Sequence, residues 1–201
     1  MMESENIIYS KKYINCSREE LLEAVSQVMS PKRFTHVKGV EKAALELARQ
    51  YRVDYEKVSI AALLHDYAKE QLDEEMRDII ISENMDLELL QYGNNIWHGP
   101  VGAILIRNRF NVTDSEILDA IRHHTVGAPQ MGLIEQIIYV ADYIEPNRIF
   151  EGVEEARALS KSSLKEAIAF STLKTLKYLL EKNVKIYPRA IETYNAWVVQ
   201  K

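Results

Sequence analysis

The amino-acid sequence predicts an all-α fold. Apolar residues recur along almost every segment at spacings of three and four, which is the period of an amphipathic helix, and no segment carries a clear hairpin signal. The 201 residues include 7 glycines and 5 prolines, about half the share that is usual in globular proteins. So few chain-breaking residues leave little room for the many turns of a β-sandwich or β-barrel.

Capping signals place the individual helices. Ser17 with Glu20 forms a capping-box pattern, and Thr113 with Glu116 repeats it. Pro100 is expected at the first position of its helix. Together with the apolar period, these signals predict helices over residues 17–29, 30–51, 54–69, 73–82, 86–91, 100–109, 114–124, 133–145, 152–160, 163–182 and 189–199.

A single domain is the simplest organisation for this chain. We expect residues 1–15 to form a flexible leader and residues 16–201 to form one domain, with 151–201 as C-terminal helices packed on the bundle. No internal repeat or Pro/Ser-rich linker argues for a division. No apolar run approaches the roughly 18 residues that span a bilayer, and the N-terminal residues do not resemble a signal peptide. These features predict a cytoplasmic protein without a membrane partner.

Charge and cysteine content exclude further classes of protein. The formal net charge is −5 and the pI about 5.6, which argues against a surface that coats DNA. The single cysteine, Cys16, excludes a disulfide framework and a cysteine-rich zinc site, and it fits a reducing cytosol.

Six imidazole and carboxylate side chains continue the apolar faces of helices. The stripe of Val40, Ala43 and Leu47, extended one turn back, reaches His36. Similar extensions on four other segments reach the remaining five side chains. The six residues are His36, His65, Asp66, His98, His124 and Asp142.

The carboxylates in this set favour a metal site. A single inward histidine is more often an ordinary core residue, but a buried carboxylate costs several kcal/mol unless it is paired or bound to a metal. The same stripes carry too few arginines and lysines to neutralise both Asp66 and Asp142. A pair of divalent ions would neutralise them and would also use the imidazoles. Ligands of nitrogen and oxygen favour iron, manganese, zinc or nickel over calcium or magnesium.

The helical period also places two adjacent histidines on different faces of their helix. His124 continues the apolar positions Ile117 and Ile121, whereas His123 continues the polar positions Glu116 and Asp119. We therefore expect His124 to be the ligand, and His123 to lie behind the ligands or at the surface.

Five short motifs carry a resemblance to a known family. They are SPKRFTHVKGV, IAALLHDYAKE, WHGPVGA, AIRHHTVG and IIYVADYIEPNR. With the six residues in this order, the chain resembles the HD-domain metal-dependent phosphohydrolases over residues 17–200. Among them it is most similar to the bacterial YqeK-type proteins, the symmetrical diadenosine tetraphosphate hydrolase family. It departs from the family pattern at Val126 and Ala128, where a hydroxyl and a cation are missing.

The resemblance implies a helical bundle with a di-metal site in its core. The family's centre contains two iron ions, with manganese or zinc as alternatives here, and Asp66 is expected to bridge them. The other ligands would be His36, His65 and Asp142 for one ion and His98 and His124 for the second. Two such ions can share a water, lower its pKa and stabilise charge on an attacked phosphate. The implied reaction is the hydrolysis of diadenosine tetraphosphate to two ADP.

Three cations are candidates for contacts with the substrate phosphates. Lys69 follows Asp66 by three residues on the predicted helix, so we expect Lys69 to act with Asp66 in catalysis, on a phosphate or the leaving group. Arg33 and Arg148 are the other candidates, although a surface salt bridge explains either arginine equally well. The lysines of the helix over 163–182 are expected to be a solvated face.

Two other functions are compatible with the same ligand set. One is a different HD-type activity, such as another nucleotide phosphohydrolase or a phosphodiesterase. The second is a non-catalytic helical adaptor with a vestigial metal site. The sequence also leaves open the choice between adenine and guanine and the oligomeric state, a homodimer included.

Overall fold

The computed structural model describes residues 7–199, and in this range all regular structure is helical. A 3₁₀-helix at Leu87–Gln91 accompanies the α-helices. The α-helices are α1 (Arg18–Ser26), α2 (Pro31–Tyr51), α3 (Tyr55–Leu64), α4 (Asp73–Ser82), α5 (Asn94–Phe110), α6 (Ser115–His123), α7 (Leu133–Ile144), α8 (Val153–Ser162), α9 (Leu164–Glu181) and α10 (Pro188–Trp197). The predicted all-α class is confirmed.

The centre of the molecule is surrounded by four helices, α2, α3, α6 and α7. Helix α2 packs on α3 and α7, and α6 packs on α3, α5 and α7. Their facing surfaces are aliphatic: Val40, Ile60, Ile121 and Ile138 are fully buried, as the three-and-four spacing of apolar residues requires. Helices α8 and α9 pack on α7, and α10 packs on α9. None of the described helices is long and apolar enough to cross a membrane.

The N-terminal segment is attached to the bundle from residue 7 onward. Tyr9 and Ile14 are buried in the main core, with 6% and 2% of their surfaces exposed. The Tyr9 hydroxyl lies 2.8 Å from Ser59 Oγ. Ser59 in turn donates to Glu41, which is paired with Arg18. The flexible leader expected over 1–15 is therefore wrong for residues 7–15, because two side chains anchor that part. Residues 1–6 lie outside the described range.

Helix α3 ends earlier than the apolar period predicts. The sequence indicates a helix to residue 69, but α3 stops at Leu64, and His65 is its C-terminal cap. Residues 65–70 form tight turns in which Lys69 N donates to Asp66 O at 2.9 Å. Lys69 and Asp66 therefore do not share a helical face.

Two helix starts also differ from the prediction. Helix α5 begins at Asn94 and contains Pro100 in its interior, so the proline removes one main-chain hydrogen bond but does not begin the helix. Helix α6 is capped by Asp114, whose carboxylate accepts from Glu116 N and Ile117 N, so the capping box expected at Thr113 is wrong. The capping box of Ser17 on α1 is confirmed.

Candidate metal centre

The structure brings together all six residues of the predicted ligand set. They come from α2, the turn after α3, α5, the turn after α6, and α7. Their donor atoms form three groups, each within 4.8 Å. The groups are His36 with His65 and Asp66; His65 with His124 and Asp142; and Asp66 with His98 and His124.

Main-chain hydrogen bonds orient three of the imidazoles. The Nδ1 atoms of His65, His98 and His124 lie 2.7, 2.8 and 2.7 Å from carbonyl oxygens three or four residues earlier in the chain. A carbonyl can only accept, so each Nδ1 carries the proton. The lone pair of each ring is therefore on Nε2, which faces the centre. Metal-binding histidines are held in the same way.

Asp66 lies between two pairs of imidazoles. Its Oδ2 atom is 3.6 Å from His36 Nε2 and 3.5 Å from His65 Nε2. Its Oδ1 atom is 3.3 Å from His98 Nε2 and 3.5 Å from His124 Nε2. Each carboxylate oxygen thus lies next to a different pair of imidazoles, so Asp66 could contribute one oxygen to each of two ions.

Asp142 completes the side of the centre that contains His36. Asp142 Oδ1 lies 3.1 Å from His36 Nε2 and 4.0 Å from His65 Nε2. Nitrogen and oxygen atoms that bind one ion at about 2.0–2.2 Å are themselves about 3–3.5 Å apart. The spacing of these donors fits a bound ion.

Two unpaired nitrogens support a metal at this position. Among the residues that the structure describes, His36 Nε2 and His65 Nε2 are buried without a hydrogen-bond partner. A buried polar atom without a partner is uncommon and costs about 1–3 kcal/mol. A divalent ion would satisfy both nitrogens, and the imidazole and carboxylate donors suit a transition metal.

Two arginines neutralise the two carboxylates. Arg33 Nη1 lies 2.6 Å from Asp66 Oδ2, and Arg148 Nη2 lies 2.8 Å from Asp142 Oδ1. The apolar stripes supply only one of these cations, Arg33 in the first turn of α2, three residues before His36. The second, Arg148, reaches back from the loop after α7, so both carboxylates are neutralised although the stripes alone carry too few cations. The case for a metal thus depends on the imidazoles.

The electrostatic environment keeps the carboxylates ionised. Burial opposes ionisation, but the imidazoles of His65, His124 and His98, when their Nε2 atoms carry a proton, hold the pKa of Asp66 well below its ordinary value. Burial likewise opposes ionisation at Asp142, yet His36, His65 and Arg148 lower its pKa. Both side chains are therefore in the form that binds metal.

The imidazoles differ in their protonation. Burial lowers the pKa of His98 to about 4, against the opposing effect of Asp66, so this ring is neutral at pH 7. Burial also acts to lower the pKa of His36, but Asp142 and Asp66 outweigh it and raise the value. Metal binding at His36 therefore competes with a proton.

Glu145 is a buried acidic residue that the sequence reasoning missed. Only 2% of its surface is exposed, and its Oε1 lies 3.2 Å from His36 Nδ1. Its other oxygen accepts from Asn147 N at 2.7 Å. Glu145 therefore orients His36, as main-chain carbonyls orient the other imidazoles. The sequence does carry a signal for this residue: Glu145 is acidic and directly follows α7, and negative charge is unfavourable at the C-terminus of a helix.

Lys69 lies beside the centre despite the early end of α3. Its Nζ donates to Asn95 Oδ1 at 2.9 Å and is 3.5 Å from His98 Nδ1. Burial lowers its pKa, while Asp66 acts in the opposite direction. A partly desolvated ammonium at this position can hold an anionic oxygen or give it a proton.

His123 lies outside the three groups of metal-binding atoms. Its Nδ1 is 2.7 Å from Glu135 Oε1, and Arg189 Nη1 donates to its Nε2 at 3.0 Å. His123 therefore joins α6 to α7 and α10, and neither of its nitrogens faces the metal centre.

A cavity of about 680 Å³ opens beside the metal centre. Its lining includes His124, Asp142 and Arg148, and also Lys174 and Lys177 of α9. Lys177 is exposed, as a solvated face requires, and Lys174 is half-buried. Both line the cavity because α9 packs on α7.

This fold and this centre define an HD domain. The HD domain profile matches residues 33–147, and the chain belongs to the HD domain family. The symmetrical bis(5'-nucleosyl)-tetraphosphatase of Bacillus subtilis (strain 168) is 46% identical to it over 183 residues, which are 91% of this chain and 98% of that protein. A protein of the same description from Staphylococcus aureus (strain NCTC 8325 / PS 47) is 34% identical over 88% of this chain and 92% of its own.

A solved structure has the same fold. It is a predicted HD superfamily hydrolase from Clostridium acetobutylicum, described as involved in NAD metabolism. The TM-score is 0.87 at 35% sequence identity, over 91% of this chain and 97% of that one. The resemblance to HD-domain proteins that the motifs indicate is confirmed.

Proposed function

We propose that this protein hydrolyses dinucleoside tetraphosphates symmetrically, with diadenosine tetraphosphate as substrate and two ADP as products. The observation that carries the proposal is the 46% identity to the Bacillus subtilis tetraphosphatase across 98% of that protein's length. The complete set of inward imidazoles and carboxylates supports an active enzyme over an adaptor with a vestigial site. The single cysteine suits a reducing compartment, and we place the enzyme in the cytoplasm.

The proposed centre holds two divalent ions, with iron as the preferred metal and manganese or zinc as alternatives. His36, His65 and Asp142 would hold one ion, His98 and His124 the other, and Asp66 both. Bound ions of this kind lower the pKa of a water and stabilise charge on phosphate oxygens. The donor set of imidazole and carboxylate groups suits iron, manganese or zinc, and the preference for iron follows from the family resemblance.

Three side chains of the protein would hold the phosphate chain. The guanidinium groups of Arg33 and Arg148 lie on the two carboxylates, at the position where an incoming phosphate offers a competing anionic partner. Their planar groups can bind phosphate oxygens in a bidentate manner. Lys69 lies on the other side, next to His98. There its ammonium can stabilise the leaving diphosphate, which needs little further protonation.

Product analysis tests the proposed reaction. The protein, purified without oxygen and with its metal content measured, is incubated with diadenosine tetraphosphate, and the products are separated by ion-exchange chromatography. We expect ADP alone. The appearance of AMP with ATP would show asymmetric cleavage, and turnover confined to nucleoside monophosphates or cyclic nucleotides would favour another HD-type activity.

A further inference from the structure

The cavity beside the metal centre has a cationic wall on α9. Lys174 and Lys177 line this wall. Within the described part of the chain, neither lysine has a carboxylate within 4.0 Å of its ammonium group. Lys174 instead lies over the ring of Phe170, 5.4 Å from its centroid. Two cations without an acidic partner at a cavity wall are free to bind an anion.

Aromatic rings line the same cavity. Tyr143 and Phe150 form an edge-to-face pair with centroids 4.9 Å apart and planes at 81°. Phe150 is 40% exposed, so its ring lies outside the apolar core, and Tyr178 on α9 is 57% exposed. Exposed aromatic faces next to lysines are the combination that binds nucleotides, since bases stack on rings and phosphates pair with cations.

The size of the cavity fits a nucleotide. Its lining contains His124, Asp142 and Arg148 together with residues of α9 between Lys174 and Glu181, which span about 10 Å at the helical rise. The volume of about 680 Å³ lies within the range of about 300–1,000 Å³ that is typical of small-molecule sites. Apart from Asp142, the lining contains three cations and two carboxylates, Glu151 and Glu181.

From these observations we propose that the cavity binds one nucleoside diphosphate half of the substrate. Lys174 and Lys177 contact its phosphates, and Tyr143 and Phe150 contact its base. The assignment rests on the proposed hydrolysis of dinucleoside tetraphosphates, in which the bond to be broken lies at the middle of the molecule. With that bond at the metal centre, one half extends from Asp142 along α9.

Direct binding of ADP and of inorganic pyrophosphate tests the assignment. Isothermal titration calorimetry on the metal-loaded protein measures both affinities in Lys174→Ala and Phe150→Ala. We expect Lys174→Ala to weaken both ligands about tenfold, because it removes a charge-assisted contact to phosphate. Phe150→Ala should weaken ADP about tenfold and leave pyrophosphate unchanged, because only ADP has a base to stack.

Matched controls separate these contacts from general effects. Lys165→Ala changes an exposed lysine on the first turn of α9, and Ile149→Ala changes a residue that is 94% exposed; neither lines the cavity. Both should bind ADP as the wild type does. If Phe150→Ala lowers the thermal midpoint, Phe150→Leu keeps the apolar bulk and removes only the aromatic face.

The outcomes distinguish the two proposals. ADP affinities within twofold of wild type in both cavity variants would overturn the assignment, whatever the reaction products are. A wild-type protein that binds ADP through Lys174 and Phe150 but does not release two ADP from diadenosine tetraphosphate would overturn the proposed function. The calorimetric measurement is independent of turnover, so each result decides its own question.

Discussion

The Nε2 atoms of His98 and His124 face each other at 2.9 Å, although both rings use their Nδ1 proton on a main-chain carbonyl. Two lone pairs at this distance repel each other. The hydroxyl of Thr125 lies 3.1 Å from one nitrogen and 3.0 Å from the other, but its single proton can serve only one of them. A cation bound by both nitrogens removes the conflict.

This relationship predicts different roles for the two adjacent histidines. His124→Ala should lose about one metal ion per chain and reduce hydrolysis by at least a hundredfold, because it removes a donor from the centre. His123→Ala should keep its metal, since its nitrogens contact Glu135 and Arg189. Elemental analysis of protein purified without oxygen measures the difference. Equal metal loss in the two variants would contradict the assignment of His124.

A second prediction concerns the proposed bridging role of Asp66. Asp66→Asn keeps the shape of the side chain but removes its charge, and we expect it to lose both ions and all measurable turnover. Asp78→Asn, at an exposed position on α4, is the matched control and should retain both. Metal content and product formation are measured on the same preparations. An Asp66→Asn protein that kept its ions and turned over substrate would show that the centre lies elsewhere.

A third prediction concerns the close packing of Glu145 against Gly39. A Cβ at Gly39 would collide with a carboxylate oxygen of Glu145 and lie 3.0 Å from Asn147 Nδ2. Gly39→Ala should therefore displace Glu145 from His36 and weaken metal binding about 10–100-fold, as loss of a supporting hydrogen bond does. The displacement should also reduce the free energy of unfolding by about 1–3 kcal/mol.

The control for Gly39 is another glycine. Gly93 has no atom within 4 Å of the position where a Cβ would be, so Gly93→Ala should bind metal as the wild type does. Competition with a coloured chelator measures the affinity, and urea unfolding measures the stability. Unchanged metal affinity in Gly39→Ala would show that Glu145 does not orient His36.

The buried phenol of Tyr139 predicts a loss of stability at high pH. Burial raises its pKa from 10.0 to about 12, and its hydroxyl lies 2.9 Å from Thr172 Oγ1. Below pH 10 the phenol is protonated in both states. Between pH 10 and 12 the unfolded chain loses the proton first, so the free energy of unfolding falls by about 1.4 kcal/mol per pH unit.

Urea unfolding at several values between pH 9 and 11.5 checks this effect. Tyr139→Phe has no proton to lose, so its stability should fall less steeply above pH 10. Tyr55→Phe, at an exposed position, should follow the wild-type curve. Parallel curves for Tyr139→Phe and the wild type would place the alkaline sensitivity at another group.

The helical period placed His36 and His124 among the six side chains that cluster in the structure. His36 and His124 extend apolar stripes, and a stripe that faces the core places its next member at the core as well. The period could not find the ion pairs of Arg148, because that residue follows the end of α7 and its position depends on the path of a loop. It also could not show that Lys174 lines a cavity, since this depends on which neighbour α9 packs against.

The end of α3 shows a similar limit. The apolar pattern continues past Leu64 to Tyr67 and Ala68, which are buried, so the sequence predicts an unbroken helix. In the structure the main chain tightens after His65. His65 Nδ1 donates to Ala62 O where the helix ends, and the ring lies among His36, Asp66 and Asp142, tertiary neighbours that the apolar pattern of one segment does not indicate.

His65 and His124 each cap the C-terminus of a helix, α3 and α6, and each donates its Nδ1 proton to a carbonyl of the last turn. The aligned peptide dipoles of a helix leave about half a negative charge at this end. Through these hydrogen bonds the two macrodipoles polarise the imidazoles and make their outer nitrogens more electron-rich. Two whole helices, and not only six side chains, therefore contribute to the attraction of cations to this point.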